Sequence, residues 1–169
     1  MNISIKISII ILIGAIVLGG LLIFNQSQNK TTNPVTTSTS QIQSLPLTGS
    51  TAVMYKHTGC GCCAGHQAAL EEAGMQVEVI ELPSVAEKKK EYGVLPSQGS
   101  CHTLVVNDGQ YVVEGHVPVE GVVKLLNEEP DIPGIALAGM PIGTPGMPGP
   151  KTQDYIVQVI GSDEVFATY

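Results

Sequence analysis

Residues 55–66 of the chain read YKHTGCGCCAGH, and this short stretch holds three of the four cysteines and two of the four histidines. The remaining thiol and imidazole side chains follow at Cys101, His102 and His116. Thiolates and imidazoles together suit Cu(I), Zn(II) or thiol–disulfide chemistry, and they do not suit Mg(II) or Ca(II). The sequence therefore places the chemistry of this chain between residues 57 and 116.

The cysteine motif lies where a predicted strand meets a predicted helix. Residues 51–56 alternate between two faces as a strand does, and residues 62–73 carry an apolar helical pattern that Gly74 ends. A helix N-terminus offers free N–H groups and a partial positive charge, which favour a thiolate over a thiol. Such thiolates serve equally as nucleophiles and as soft-metal ligands, so the C-x-x-C of Cys60 and Cys63 leaves both functions open.

The remaining patterns predict an α/β fold. Strands are predicted at residues 51–56, 76–82, 103–107 and 111–114, and helices at residues 62–73, 83–92 and 118–127. Asn107-Asp108-Gly109 is a strong hairpin signal between the last two strands. The order β-α-β-α-β-β-α is that of a thioredoxin-like domain, in which right-handed crossovers join the first strands.

The character of the chain changes after residue 129. Residues 130–150 are rich in proline and glycine and include Gly139-Met140-Pro141 and Gly146-Met147-Pro148. Because this composition argues against a helix or a central strand, the segment is predicted to be a long loop. Residues 154–160 and 164–168 then predict a C-terminal hairpin.

The N-terminal part predicts a membrane anchor and a linker. Residues 7–24 are almost wholly apolar, and about 17–25 such residues span a bilayer. Since no A-x-A cleavage pattern follows, residues 1–24 are predicted to be an uncleaved signal anchor with one transmembrane helix and the bulk of the chain outside the cytoplasm. A cleaved signal peptide, which would release a secreted or periplasmic protein, is the alternative. Residues 25–50, rich in Ser, Thr and Gln, are predicted to be a flexible linker. Residues 51–129 then form the metal-binding core, and residues 130–169 form the loop and hairpin.

The charge distribution excludes one class of partner. The formal net charge is −7, and the eight basic residues are all lysines. Nucleic acid is excluded as a partner, because phosphate contacts need clustered Lys or Arg. The one basic run, residues 88–90, is flanked by Glu87 and Glu91 and is predicted to be a solvated helix face.

The histidines and the fourth cysteine extend the motif into a candidate metal site. In a thioredoxin-like chain Cys101 and His102 would face the first helix, which favours a metal site over a simple dithiol, and His116 is expected to be a ligand or to lie near one. Buried, inert cysteines are disfavoured because the glycines around the motif supply little apolar cover. Four accessory ligands are considered against surface or core roles: His57, His66, Met140 and Met147. Thioether ligands would select Cu(I) over Zn(II).

Several motifs resemble those of the CopG-like copper-resistance family, which is distinct from the DNA-binding repressor of that name. The matching segments, spread over residues 51–169, are Tyr55-Lys56, Cys60-Gly61-Cys62-Cys63, Ser100-Cys101-His102-Thr103, Glu114-Gly115-His116-Val117-Pro118, Gly139-Met140-Pro141 and Pro145-Gly146-Met147. The resemblance implies a thioredoxin-like fold outside the cytoplasm. It also implies copper ligands at Cys60, Cys62, Cys63, Cys101, His102 and His116. His66 departs from the family, which usually has a bulky aromatic there, and His57 lies where the family varies, so the metal count or selectivity could differ.

Three functional hypotheses follow. The first is a membrane-tethered extracytoplasmic protein that binds one or more Cu(I) ions through four thiolates, with His102 and His116 completing or tuning the site. It would serve sequestration, transfer to a copper-handling partner protein or redox handling, and the copper is expected as Cu(I) or Cu(II). The second is a thiol–disulfide oxidoreductase with Cys60 as nucleophile and Cys63 as resolving thiol, so enzymatic activity stays open. The third is a structural zinc module.

Overall fold

The computed structural model describes residues 45–169. The predicted signal anchor, residues 1–24, and nearly all of the predicted linker, residues 25–50, lie outside the described residues. Within residues 45–169, no helix is long and apolar enough to cross a membrane.

Between residues 45 and 169, seven strands form one mixed sheet in the order β2-β1-β3-β4-β5-β6-β7. The strands are β1 (Thr51–His57), β2 (Gln76–Leu82), β3 (His102–Val106), β4 (Tyr111–Glu114), β5 (Gly134–Ala136), β6 (Ile156–Val159) and β7 (Val165–Thr168). Strand β1 is parallel to β2 and antiparallel to β3, and β5 is parallel to β4, whereas the other neighbours are antiparallel. Helices and strands in one fold confirm the α/β prediction.

Three α-helices connect the strands in the described part of the chain. They are α1 (Gly61–Glu72), α2 (Ala86–Glu91) and α3 (Val119–Glu128), so the first seven helices and strands follow the order β-α-β-α-β-β-α. Helix α1 buries Cys63, His66 and Leu70, which are spaced so that they share one face. Its N-terminus therefore points a cysteine and a histidine into the protein.

Strand β5 corrects the prediction that residues 130–150 contain no central strand. Gly134, Ile135 and Ala136 carry backbone N–H groups and are all buried between β4 and β6. No proline lies between Pro133 and Pro141, and the Pro133 carbonyl accepts the Val112 N–H at 3.0 Å. A Cβ on Gly134 would overlap the Val112 backbone, so glycine permits the strand to approach β4. The C-terminal hairpin, predicted as such, joins the same sheet through β5.

A row of fully buried side chains fixes the register of the central strands. Met54, Leu104, Val113 and Ile135 are direct neighbours across β1, β3, β4 and β5, and each is 0% exposed. Burying each such side chain stabilises the fold by about 1.5–3 kcal/mol. A shift of one residue would move the row to the opposite face of the sheet, so the packing of these side chains specifies this register. It determines which residues meet at the ends of these strands.

Candidate metal centre

Three chain segments meet at the end of β1 from which α1 departs. In the sheet register, Lys56 of β1 is the neighbour of His102 of β3, and Thr103 is the neighbour of Glu114 of β4. The start of β3, with Cys101 just before it, therefore lies beside the cysteine motif. The segment that follows β4 carries His116 to the same place.

The four cysteine sulfurs lie within 4.8 Å of one another. Cys60 and Cys63 form a disulfide bond, and Cys62 and Cys101 are free thiols. The Cys62 Sγ lies 3.5 Å from Cys60 Sγ and 3.8 Å from Cys101 Sγ, and Cys63 Sγ lies 3.4 Å from Cys101 Sγ. Cys63 is fully buried, despite the glycines around the motif, whereas the other three are partly accessible. We call these four residues the thiol group.

Three buried histidines form a second group beside the first. One ring nitrogen from each of His66, His102 and His116 lies within 4.8 Å of the others, and all three residues are 0% exposed. His66 Nδ1 lies 2.7 Å from His102 Nε2. Cys101 Sγ lies 3.3 Å from His102 Nδ1 and 3.0 Å from His116 Nε2, so it borders both groups. We call the three histidines the imidazole group.

Two backbone carbonyls orient the imidazole group. The Val117 carbonyl accepts a hydrogen bond from His66 Nε2 at 3.0 Å, and the Pro145 carbonyl accepts one from His116 Nδ1 at 2.7 Å. Because a carbonyl can only accept, each of these nitrogens carries the ring proton. The lone pairs of His66 Nδ1 and His116 Nε2 consequently face the interior. Metal-ligating histidines are held in the same way by a partner on their outer nitrogen.

Burial keeps these rings neutral and the nearest thiol protonated in the absence of metal. Desolvation, reinforced by the charge of His116, lowers the pKa of His66 to about 3. Desolvation also lowers the pKa of His102 and of His116, where the hydrogen bond to Pro145 acts in the opposite direction. Burial, followed by the neighbouring Cys62, raises the pKa of Cys101 to about 11. A metal ion bound by the Cys101 sulfur must therefore displace its proton.

Comparison with known proteins decides the family. A family model described as "Protein of unknown function, DUF411" matches residues 98–147, which include Cys101, His102 and His116. A solved structure named "Copper resistance protein copG- Form 1" is 36% identical over 70% of this chain and 96% of its own, with a TM-score of 0.63. A second, "Copper resistance protein copG- Form 2", is 36% identical over 71% of this chain and 98% of its own, with a TM-score of 0.64. The chain belongs to the CopG-like copper-resistance family. No curated protein sequence matches it.

A buried charged network holds the Cys101 turn of this CopG-like protein. Glu114 is 0% exposed, forms an ion pair with Lys89, and accepts hydrogen bonds from the Ser100 N–H and the Thr103 hydroxyl, each at 2.6 Å. Lys89 also donates to the His102 carbonyl at 3.3 Å. The prediction that residues 88–90 are a solvated face is therefore wrong for Lys89, because its ammonium group reaches a buried carboxylate. The predicted hairpin was the one sequence signal for part of this network, because it pairs Glu114 with Thr103.

The proline- and glycine-rich segment packs directly on the cysteine motif of this CopG-like protein. A Cβ added to Gly65 of α1 would stand 2.5 Å from Gly146 Cα, so the two backbones are in contact. Pro145, the neighbour of Gly146, supplies the carbonyl that holds His116. The segment thus forms one wall of the candidate site.

The structure separates the accessory residues predicted from sequence. His66 lies at the centre of the imidazole group. His57 is exposed, has its Nδ1 2.7 Å from the Thr58 carbonyl oxygen, and belongs to neither group. Met147 is partly buried on the segment that contacts α1, whereas Met140 is 50% exposed.

The donor atoms of this CopG-like protein fit copper. Sulfur and imidazole nitrogen suit copper. Among residues 45–169, neither the thiol group nor the imidazole group includes a carboxylate. With the Cys60–Cys63 bond closed, the thiol group offers two free thiols. Reduction of that bond would provide four.

Proposed function

We propose that this protein binds Cu(I) outside the cytoplasm and serves copper tolerance by sequestration, transfer or redox handling of the ion. The observation that carries the proposal is the convergence of four cysteine sulfurs within 4.8 Å. Soft thiolates select Cu(I), and clustered thiolates can bridge more than one ion. His102 and His116, whose ring nitrogens border Cys101, would complete or tune the site.

An extracytoplasmic location and a thioredoxin-like fold are part of the same proposal. Solved relatives carry copper-resistance names, and the Cys60–Cys63 disulfide suits an oxidising compartment. Residues 7–24 would tether the protein to the membrane as a signal anchor. The sheet order β2-β1-β3-β4, with β1 and β2 parallel and joined through α1, supports a thioredoxin-like core.

Anaerobic Cu(I) titration against a competing chelator tests the proposal. The reduced full-length protein in detergent is compared with a variant in which Cys60, Cys62 and Cys63 are replaced by Ser. Loss of an outer hydrogen-bond partner alone costs about 10–100-fold in metal affinity, so loss of three thiolates should cost at least about 100-fold. The His57→Ala variant is the control and should bind as the wild type does. A Cu(I) affinity of the triple variant equal to that of the wild type would contradict the proposal.

The disulfide favours thiol–disulfide exchange as a second candidate function. Cys60 lies at the entrance to α1 and is partly accessible, whereas its partner Cys63 is buried, as a nucleophile and its resolving thiol would be. The exchange transfers two electrons and two protons from the dithiol to a substrate disulfide. Insulin reduction in the presence of a strong chelator separates the functions, since only an oxidoreductase would act without metal. Metal analysis of anaerobically purified protein would distinguish copper from structural zinc.

A further inference from the structure

The imidazole group has the features of a metal site of its own. We propose that His66, His102 and His116 bind a divalent ion such as Zn(II) or Cu(II) through three ring nitrogens, in a site that does not require Cu(I) bound by the thiol group. Neutral imidazole is a ligand of borderline softness and suits these divalent ions. The inference does not depend on the proposed Cu(I) site, although His102 and His116 border both groups.

The burial of three imidazoles requires a physical reason. Each residue is 0% exposed, and each ring nitrogen has a polar partner, which is another ring, the Cys101 sulfur or a backbone carbonyl. This pairing offsets the cost of taking the polar rings out of water. The ring centroids are 4.8–5.4 Å apart, so the three rings pack against one another. An ordinary packed core would be made with apolar side chains here.

The positions of the ring protons prepare the group for a cation. Two of the three protons are directed outwards, to the Val117 and Pro145 carbonyls. The third belongs to His102, whose Nε2 lies 2.7 Å from His66 Nδ1 and whose Nδ1 lies 3.3 Å from Cys101 Sγ. With that proton on Nε2, His102 donates to His66. With it on Nδ1, His102 donates to the Cys101 sulfur and all three rings present lone pairs to the interior.

The distances require a small adjustment. Two nitrogens bound tetrahedrally to Zn(II) at about 2.0–2.1 Å stand about 3.3 Å apart. His66 Nδ1 and His102 Nε2 are 2.7 Å apart and would have to separate by about 0.6 Å to admit the ion. The His116 ring nitrogen, which lies within 4.8 Å of both, would have to take the same spacing. The ion would replace the bridging proton. Three histidines leave the fourth tetrahedral position open.

The imidazole group is assembled while the Cys60–Cys63 disulfide is closed. The two groups therefore differ in what oxidation does to them. Oxidation removes two thiolates from the thiol group, whereas it leaves all three imidazole nitrogens in place. The oxidised protein should consequently bind a divalent ion.

A background without free thiols tests the inference. The Cys62→Ser/Cys101→Ser protein is used full-length in detergent with the Cys60–Cys63 bond closed. It has no free thiol, and its histidines remain as borderline ligands. We expect it to bind one equivalent of Zn(II) by calorimetry. Co(II) should give the intense visible bands of a tetrahedral site without sulfur charge-transfer bands, and Cu(II) should show nitrogen hyperfine splitting. Absence of saturable Zn(II) binding would overturn the inference.

Variants in that background assign the ligands. His66→Phe and His66→Gln should each abolish the Co(II) bands, whereas His57→Ala, which removes an exposed histidine outside the group, should retain them. Circular dichroism identifies folded variants, and His116→Gln provides a further ligand test. Unchanged Co(II) spectra in folded His66 variants would contradict the assignment. The Cys60/Cys62/Cys63→Ser protein should lose Cu(I) binding and keep Zn(II) binding, so the two proposals fail separately.

Discussion

Gly65 and Gly146 are in backbone contact, with the Cβ position of Gly65 2.5 Å from Gly146 Cα. They lie 81 positions apart in the chain, on helix α1 and on the proline-rich segment respectively. The contact joins the cysteine motif to the segment whose Pro145 carbonyl holds His116. The histidine side of the candidate centre therefore depends on a close approach that glycine permits.

Gly65→Ala should destabilise the protein by about 1–3 kcal/mol, because the added methyl group overpacks a backbone contact. Displacement of the segment should also weaken metal binding through His116. Gly61→Ala is the matched control on the same helix, since a Cβ there meets nothing within 4 Å. It should be neutral or stabilise by up to about 1 kcal/mol. Urea denaturation gives the free energy of unfolding of each variant, and equal values for the two variants would contradict the backbone contact.

Glu114→Gln should cost about 3–5 kcal/mol, because it leaves the ammonium group of Lys89 without its buried partner. Since the Ser100 N–H donates to the same carboxylate, the Cys101 turn should shift and Cu(I) affinity should fall. Glu128→Gln is the control, because Glu128 pairs with Lys124 on the surface with its side chain 54% exposed. Its effect should stay below about 1 kcal/mol. A Glu114→Gln protein as stable as the control would show that the network contributes little.

The stability of the metal-free protein should fall as the pH is lowered below about 6.5. The pKa of His66 is about 3 in the folded protein, so between these values the unfolded chain binds a proton that the folded chain does not. The free energy of unfolding then decreases with decreasing pH by up to about 1.4 kcal/mol per pH unit for this histidine. Urea denaturation between pH 7.5 and 5 checks the slope. His66→Gln should reduce it, whereas His57→Ala should not, and identical slopes would refute the assignment.

Oxidation should weaken Cu(I) binding. The closed Cys60–Cys63 bond leaves Cys62 and Cys101 as the free thiols, so the oxidised protein should bind Cu(I) at least about tenfold more weakly than the reduced one. Chelator competition before and after treatment with a phosphine reductant measures the difference. We expect the higher affinity to return on reduction. Equal affinity in both states would exclude a role for the Cys60 and Cys63 sulfurs in Cu(I) binding.

Local patterns predicted the first half of the fold well. Strand β2 has its predicted bounds, and α1 starts one residue before the prediction, because alternation, helical spacing and Gly74 are local signals. Strand β5 was missed because it has three residues and is specified by its neighbours β4 and β6. Such pairing leaves no periodicity to read in the strand itself.

The thiol group was easier to foresee than the imidazole group. Cys60, Cys62 and Cys63 are neighbours in sequence, so one turn of helix brings them together. His66 is separated from His102 by 36 positions, and its burial depends on the packing of α1 against the sheet. Lys89 likewise looked solvated among charged neighbours, because its partner Glu114 lies on another element.

Strand β5 pairs with the side of β4 that faces away from β3, and all of Tyr111–Glu114 is buried. A strand with an unpaired flank is a template for strand addition by another molecule. Strand β5, which follows α3 in the chain, pairs with this flank of β4 and so blocks strand addition there. A protein that is cleaved after residue 129 and loses this segment would expose that flank of β4 to other molecules, so proteolysis here should favour aggregation through intermolecular sheets.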